Sequence, residues 1–279
     1  MLKNRIITAV WAIPLIGVII WFGEPYFTIF VAIVGLLAAI EFFRLTKEIK
    51  AQALAVFGII WTTLLIVVRN PGIHSWLAAC IDTELLVPAI ITFGMAVSLI
   101  LLLGRKQKQG AFTDWSWTLA EILYVGWLLG YLVALRGLDN GKSWVFLAVF
   151  ATFGSDSAAY FIGKAFGKHK LAPTISPGKT WEGSIAGLLG AVAISLLFLL
   201  PTPLQLTIYL NWWQLVLVGL LVSVSGQLGD LVESLFKRNT GAKDSGNIFP
   251  GHGGMLDRMD SIVFAAIAVY YVVVLFKII

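Results

Sequence analysis

One cysteine, three histidines and few charges mark this sequence, and each scarcity closes off a class of protein. Cys80 has no second cysteine to pair with, so neither an intrachain disulfide framework nor a cysteine-based zinc site is available. It reads as a small apolar filler in or near a helix. Charged residues make up only 13% of the 279 positions, whereas 59% are hydrophobic. A soluble domain needs about 25% charged residues to cover its surface, so most of this surface must face lipid. The net charge of +5 could suggest nucleic-acid binding in a soluble protein. In a membrane protein it is better explained by where the cations sit, and no nucleic-acid partner is expected. A cleavage site is also lacking. Lys3 and Arg5 precede an apolar run, as in a signal peptide, yet the chain reads on through Gly23-Glu24-Pro25 into a second run, which predicts a retained first helix.

A bilayer-spanning helix needs about 17–25 mostly apolar residues. Segments near 6–22, 26–43, 53–68, 85–103, 119–136, 143–163, 183–200, 212–232 and 260–277 meet that need. They predict an all-α polytopic membrane protein of about nine transmembrane helices, organised as a single integral membrane domain over residues 1–279. Residues 1–140 would supply scaffold and lipid access, and 141–279 the catalytic helices and cytoplasmic loops. The longest loops, 104–118, 164–182 and 233–259, leave no room for a soluble domain. Placing the N-terminus in the cytoplasm puts Lys3, Arg5, Arg44, Lys47, Lys50, Arg105, Lys106, Lys108, Lys164, Lys168, Lys170, Lys179, Lys237, Arg238, Lys243 and Arg258 on one side. Only Arg69, Arg136, Lys142 and Lys277 fall on the other, a split of 16 to 4 that follows the positive-inside rule.

With that orientation the acidic groups converge. Asp156 lies inside the sixth segment, Glu182 opens the seventh, Asp230 and Glu233 close the eighth, and Asp257 and Asp260 open the ninth. All fall at or just below the cytoplasmic interface, where ionisable groups are expensive and are functional candidates by default. Ser223, Gly226, Asp230, Glu233 and Lys237 recur at steps of three and four, which makes one polar stripe on an apolar helix. Asp257 and Asp260 share a helix face, although capping and dipole compensation would also favour carboxylates there. Carboxylates without cysteine suit a hard cation, so Asp230, Asp257, Asp156 and Glu233 are the expected ligands of Mg²⁺. Whether a second cation joins it stays open.

The cations of the last loop, Lys237, Arg238, Lys243 and Arg258, suit phosphate. Lys164, Lys168 and Lys170 are sufficiently explained by topology and anionic headgroups. Ser176-Pro177-Gly178-Lys179-Thr180 is a tight polar element leading into a helix, whose free N–H groups form a natural phosphate site. It is not a P-loop, because Pro173 stands where the first glycine is required. Gly246, Gly251, Gly253 and Gly254 let backbone approach a ligand closely, and His252 among them reads as a hydrogen-bond donor. His74 and His169 carry no supporting pattern.

The run Ser234-Leu-Phe-Lys237-Arg238, then Lys243-Asp244, Pro250-Gly-His252-Gly-Gly254 and Leu256-Asp257-Arg258-Met-Asp260 resembles the signature of the phosphatidate cytidylyltransferases, or CDP-diacylglycerol synthases. The resemblance extends to Ser155-Asp156 with Ala159-Tyr160, to Ser176 through Gly183, and to Gly229 through Ser234, about the C-terminal half. Gly178 departs from it, since many relatives carry a second basic residue there. The resemblance implies CTP and phosphatidate as substrates, CDP-diacylglycerol and diphosphate as products, and a requirement for Mg²⁺. It implies catalytic roles for Asp230, Asp257, Lys237, Arg258 and Asp260. Substrate would be bound by Lys179, Ser176, Thr180, Arg238, Lys243, Asp244, His252, Gly253 and Gly254. The lipid bilayer is the remaining partner, with a homodimer left open, and the expected location is a bacterial inner (plasma) membrane with the site facing the cytoplasm. The alternatives are a CTP-dependent polyprenol or lipid kinase, and, from another class, a secondary transporter. A transporter would need carboxylates near the midplane and matching broken helices, neither of which is present.

Overall fold

The computed structural model describes residues 13–201, 204–246, 248 and 253–276. The chain divides into two compact units, one formed by residues 1–137 with 239–256, the other by 138–238 with 257–279. Each has an apolar outer surface of the kind lipid demands. Leu103 is 76% exposed in the first and Leu189 67% in the second, and further exposed apolar residues recur along the same helices, among them Phe93 and Ile100, and Ile185 and Leu197.

The first unit carries α1 (Ile13–Phe22), α2 (Tyr26–Glu48), α3 (Ala55–Val67), α4 (Pro71–Leu77), α5 (Leu86–Leu103), α6 (Ala111–Glu121) and α7 (Leu128–Arg136). A π-helical turn, Ile122–Trp127, joins α6 to α7 without a break in the span. The α4 helix was not foreseen. It follows α3 after a bend of 86°, with Asn70 as N-cap accepting from the Ile73 N–H and Pro71 in the first turn, where its missing N–H costs nothing. Several polar groups inside the unit are paired: Thr62 donates to Glu121 at 2.7 Å, and Trp115 Nε1 to Ser98 at 2.8 Å. Two cations that the charge count assigned to the sparsely charged side are absorbed internally. The Arg69 guanidinium lies 4.5 Å from the Trp127 ring and 4.3 Å from that of Tyr131, and Arg136 Nε donates to the Ile20 carbonyl at 3.1 Å.

The second unit carries α8 (Gly141–Phe166), a hairpin of β1 (Lys170–Ala172) and β2 (Ser176–Thr180), α9 (Trp181–Leu197), α10 (Trp212–Asn239) and α11 (Leu256–Leu275). The α8 and α9 helices pack along their length because glycines leave the backbones bare to one another. A Cβ at Gly190 would meet the Gly154 carbonyl oxygen at 2.7 Å, and one at Gly183 would meet the Ala159 carbonyl oxygen at 2.7 Å. Buried between helices, Ser155 and Ser223 share a hydrogen bond of 2.7 Å. Gly229 brings α10 onto the first turns of α11, where a Cβ would strike the Asp260 carbonyl oxygen and the Phe264 ring.

Each predicted segment coincides with a helix, although residues 6–12 of the first and the last residue or so of the ninth lie outside the described residues. Six described helices are long and apolar enough to cross a bilayer, seven if the bent α3–α4 pair is one span; α9 and the described part of α1 are shorter. The chain is therefore an all-α polytopic membrane protein with about six clear spans. The antiparallel hairpin is the departure from a purely helical fold. It falls where sequence reading expected only a polar turn.

Candidate active site

The second unit assembles most of the predicted polar residues. The hairpin is short and polar, and its β2 strand runs directly into α9 through Thr180. That side chain is buried and serves as N-cap, accepting from the Gly183 N–H at 3.2 Å. His169 and Glu182 clamp the base of the hairpin, with His169 Nδ1 2.7 Å from the Glu182 carboxylate. Arg238, at the end of α10, donates to the Ile175 carbonyl at 3.2 Å and so ties the hairpin turn to that helix.

Held in this way, Lys179 reaches α10. Its ammonium lies 2.9 Å from Asp230 and 3.2 Å from the Gln227 carbonyl oxygen, to which it donates. A cavity of about 650 Å³ opens beside this pair, a size suited to a small-molecule ligand. Asp156 and Lys164 line it from α8, Asp230 from α10, and Lys170, Ser176 and Lys179 from the hairpin. Lys164 and Lys170, which sequence reading left to topology, thus line this cavity.

The carboxylates sort into two groups. Asp156, Asp230 and Asp260 lie close enough to act on one another electrostatically, and Asp156 also feels Lys179 and Arg258. Asp260 sits one turn inside α11, where its side chain accepts from the Ser261 N–H at 2.6 Å. The second group is an ionic knot between α10 and α11. Lys237 donates to Asp257 at 2.6 Å and pairs with Glu233 one helical turn away, whose side chain is fully buried. So the polar stripe expected on α10 exists and faces inward, but it divides its work. Asp230 meets the cavity, and Glu233 and Lys237 meet Asp257.

Among the described residues no three carboxylate or imidazole groups form a ready-made metal cluster. The fit to a hard divalent cation rests instead on donor chemistry. Asp156, Asp230 and Asp260 are all oxygen donors, and their mutual repulsion is the kind a dication relieves. Mg²⁺ commonly takes only one or two carboxylates, with phosphate oxygens and water completing the shell.

Sequence reasoning missed Gln227 and Ser184. Gln227 Nε2 donates to the Ser184 carbonyl at 3.2 Å and to Ser223 at 2.9 Å, while the Ser184 hydroxyl donates back to its amide oxygen. The signal was available, since an amide inside an apolar segment is as costly as a charge is conspicuous. The remaining predicted residues, Lys243, Asp244, Gly253 and Gly254, belong to the first unit's loop, where Lys243 and Asp244 are exposed. His252 lies outside the described residues.

A helical scaffold with apolar, membrane-length helices thus carries a polar cavity lined by both carboxylates and lysines, chemistry that suits an anionic ligand paired with a cation. Comparison with known proteins makes this specific. The model of the cytidylyltransferase family matches residues 3–276, and the chain belongs to that family. A phosphatidate cytidylyltransferase of Bacillus subtilis (strain 168) is 35% identical over 277 residues, covering 99% of both chains. Its counterpart in Staphylococcus haemolyticus (strain JCSC1435) is 34% identical over 264 residues, covering 94% of this chain and 95% of that one. A third, from Brucella suis biovar 1 (strain 1330), is 35% identical over 275 residues, 96% and 92% of the two chains.

Proposed function

We propose that this protein is a phosphatidate cytidylyltransferase, joining CTP and phosphatidate into CDP-diacylglycerol with release of diphosphate, for phospholipid synthesis. The observation that carries it is the cavity in which Asp156 and Asp230 face Lys164, Lys170 and Lys179. Family membership and relatives of this name along nearly the whole chain support it.

The chemistry suits the residues. A phosphate monoester has a second pKa of about 6, so the lipid phosphate is largely dianionic at neutral pH and needs no strong general base. Its oxygen attacks the α-phosphorus of CTP in line, the bond to the β-phosphate oxygen breaks, and diphosphate leaves. The obstacle is bringing two polyanions together. Lys164, Lys170 and Lys179 neutralise and orient them, with Arg258 acting on the same carboxylate group. Asp230 with Asp156 would hold Mg²⁺, and Asp260 supports them. When bound, that ion would supply neutralisation of the phosphate charge. Asp257 and Glu233 act through Lys237 in fixing α10 against α11. Cytoplasmic access suits a soluble nucleotide, so the site faces the cytoplasm, with the N-terminus on the same side of a bacterial inner membrane.

The test is to incubate purified protein with phosphatidate, labelled CTP and Mg²⁺. Diphosphate and labelled CDP-diacylglycerol are expected in equal amounts, with loss of both on adding EDTA. Release of CDP instead would mark a lipid kinase, and solute flux across sealed vesicles without nucleotide turnover would mark a transporter.

A further inference from the structure

In the first unit a single carboxylate grips the glycine-rich loop. Glu41 stands near the end of α2 with no surface exposure. Its Oε2 accepts from the Ser245 hydroxyl at 3.1 Å and from the Leu256 N–H at 2.9 Å, residues 204 and 215 positions away in sequence. The second of these is a free N–H at the start of α11, where negative charge is favoured. The two flanks of the loop close over the same carboxylate. A Cβ at Gly246 would fall on Oε1, and one at Gly254 on Oε2 and on the Ser245 hydroxyl. Both glycines thus leave room for the Glu41 carboxylate.

Burying a carboxylate costs several kcal/mol unless its oxygens are satisfied. Oε1 has no hydrogen-bond partner among the described residues. Apolar packing alone would have been served better by leucine at this position. The carboxylate is retained where it joins Ser245 and Gly246 on one side of the loop to Gly254 and Leu256 on the other. Between and beside these lie Lys243, Asp244 and Gly253, and Asp257 and Arg258 follow at once in the chain.

We infer that Glu41 is a positioning residue, whose Oε2 holds the two flanks of the loop together and thereby fixes Lys243, Gly253 and Gly254 for binding the nucleotide phosphates. It touches no reacting atom. The kinetic consequence rests on the cytidylyltransferase reading, whereas the structural one does not.

The experiment compares Glu41→Ala and Glu41→Gln with the unaltered protein in detergent. Glutamine keeps one carbonyl acceptor for both donors; alanine keeps none. Limited trypsin digestion, read as the rate of cleavage after the exposed Lys243, reports the loop directly. That rate is expected to rise at least tenfold in Glu41→Ala and to stay within about threefold in Glu41→Gln. A misplaced loop can cost about a hundredfold in rate. Accordingly, Glu41→Ala should raise KM for CTP and lower kcat/KM for CTP by about that factor, with KM for phosphatidate little changed. Glu41→Gln should keep most of the activity. If Glu41→Ala is too unstable to purify, the glutamine variant still decides. Cleavage as fast as in an unfolded control, or loss of CTP turnover as complete as in a loop deletion, overturns the assignment. Unchanged cleavage in Glu41→Ala also overturns it. Absence of cytidylyl transfer in the unaltered protein, with the cleavage pattern as expected, would sink the functional reading and leave the positioning role standing.

Discussion

Lys237 lies between Asp257 and the fully buried Glu233, and removing it would take away the cation that both carboxylates share. Breaking such a buried group by deleting one partner costs about 3–5 kcal/mol. Asp230 differs, because its side chain is 36% exposed into the cavity and its partner Lys179 comes from the hairpin. Loss of one preorganised charged group at a reacting phosphate costs about 10²–10³ in rate. The expected contrast is therefore clear. Lys237→Met lowers the thermal unfolding midpoint strongly, while Asp230→Asn leaves it nearly unchanged and lowers kcat by two to three orders of magnitude. Calorimetry in detergent, run beside the turnover assay, checks both. A stable but inactive Lys237→Met would show instead that this lysine acts on substrate.

Among the elements, α8 and α9 depend on bare backbone. The Cβ of any larger residue at Gly190 would press on the Gly154 carbonyl oxygen and on the Ala158 methyl, 2.8 Å away. Neither is the free end of a flexible chain, so the helices must part. Gly190→Val is expected to cost about 1–3 kcal/mol and to lower activity with it, since Asp156 rides on α8 and Lys179 lies next to the Thr180 cap of α9. Thermal unfolding measures the first effect, and an unchanged midpoint would contradict the close packing. Helix positions were legible from hydropathy because lipid imposes a long apolar run on each. The hairpin was not. Its Pro173, Pro177 and Gly178 read as turn formers, and its pairing depends on the His169–Glu182 clamp and the reach of Arg238, which no local pattern displays.

For the molecule as a whole, orientation is open to direct test. The exposed Cys80 lies between α4 and α5, in a loop that the 16-to-4 charge split assigns to the outer side. A membrane-impermeant maleimide should label it in intact cells. In a Cys80→Ala background, Lys106→Cys should be labelled only after permeabilisation. The reverse pattern would invert the topology and remove CTP access to the site. Division into two units also recasts the long loop that ends at Leu256. It reads in sequence as one polar island from Ser234 to Asp260, yet residues 239–256 group with the N-terminal helices, and Asp230, Lys237 and Asp257 with the other unit.

The amino-acid sequence alone determined the membrane environment, the helix positions and the polar motifs, because the first two follow from local hydropathy and the last from residue type and spacing. Tertiary structure alone decided which charges meet. Asp156 joins Asp230 and Asp260 only because glycines let α8, α9 and α11 approach α10, and Glu41 finds its loop more than 200 residues away. Sequence periodicity reports the face of a helix that points inward, and packing decides what stands opposite.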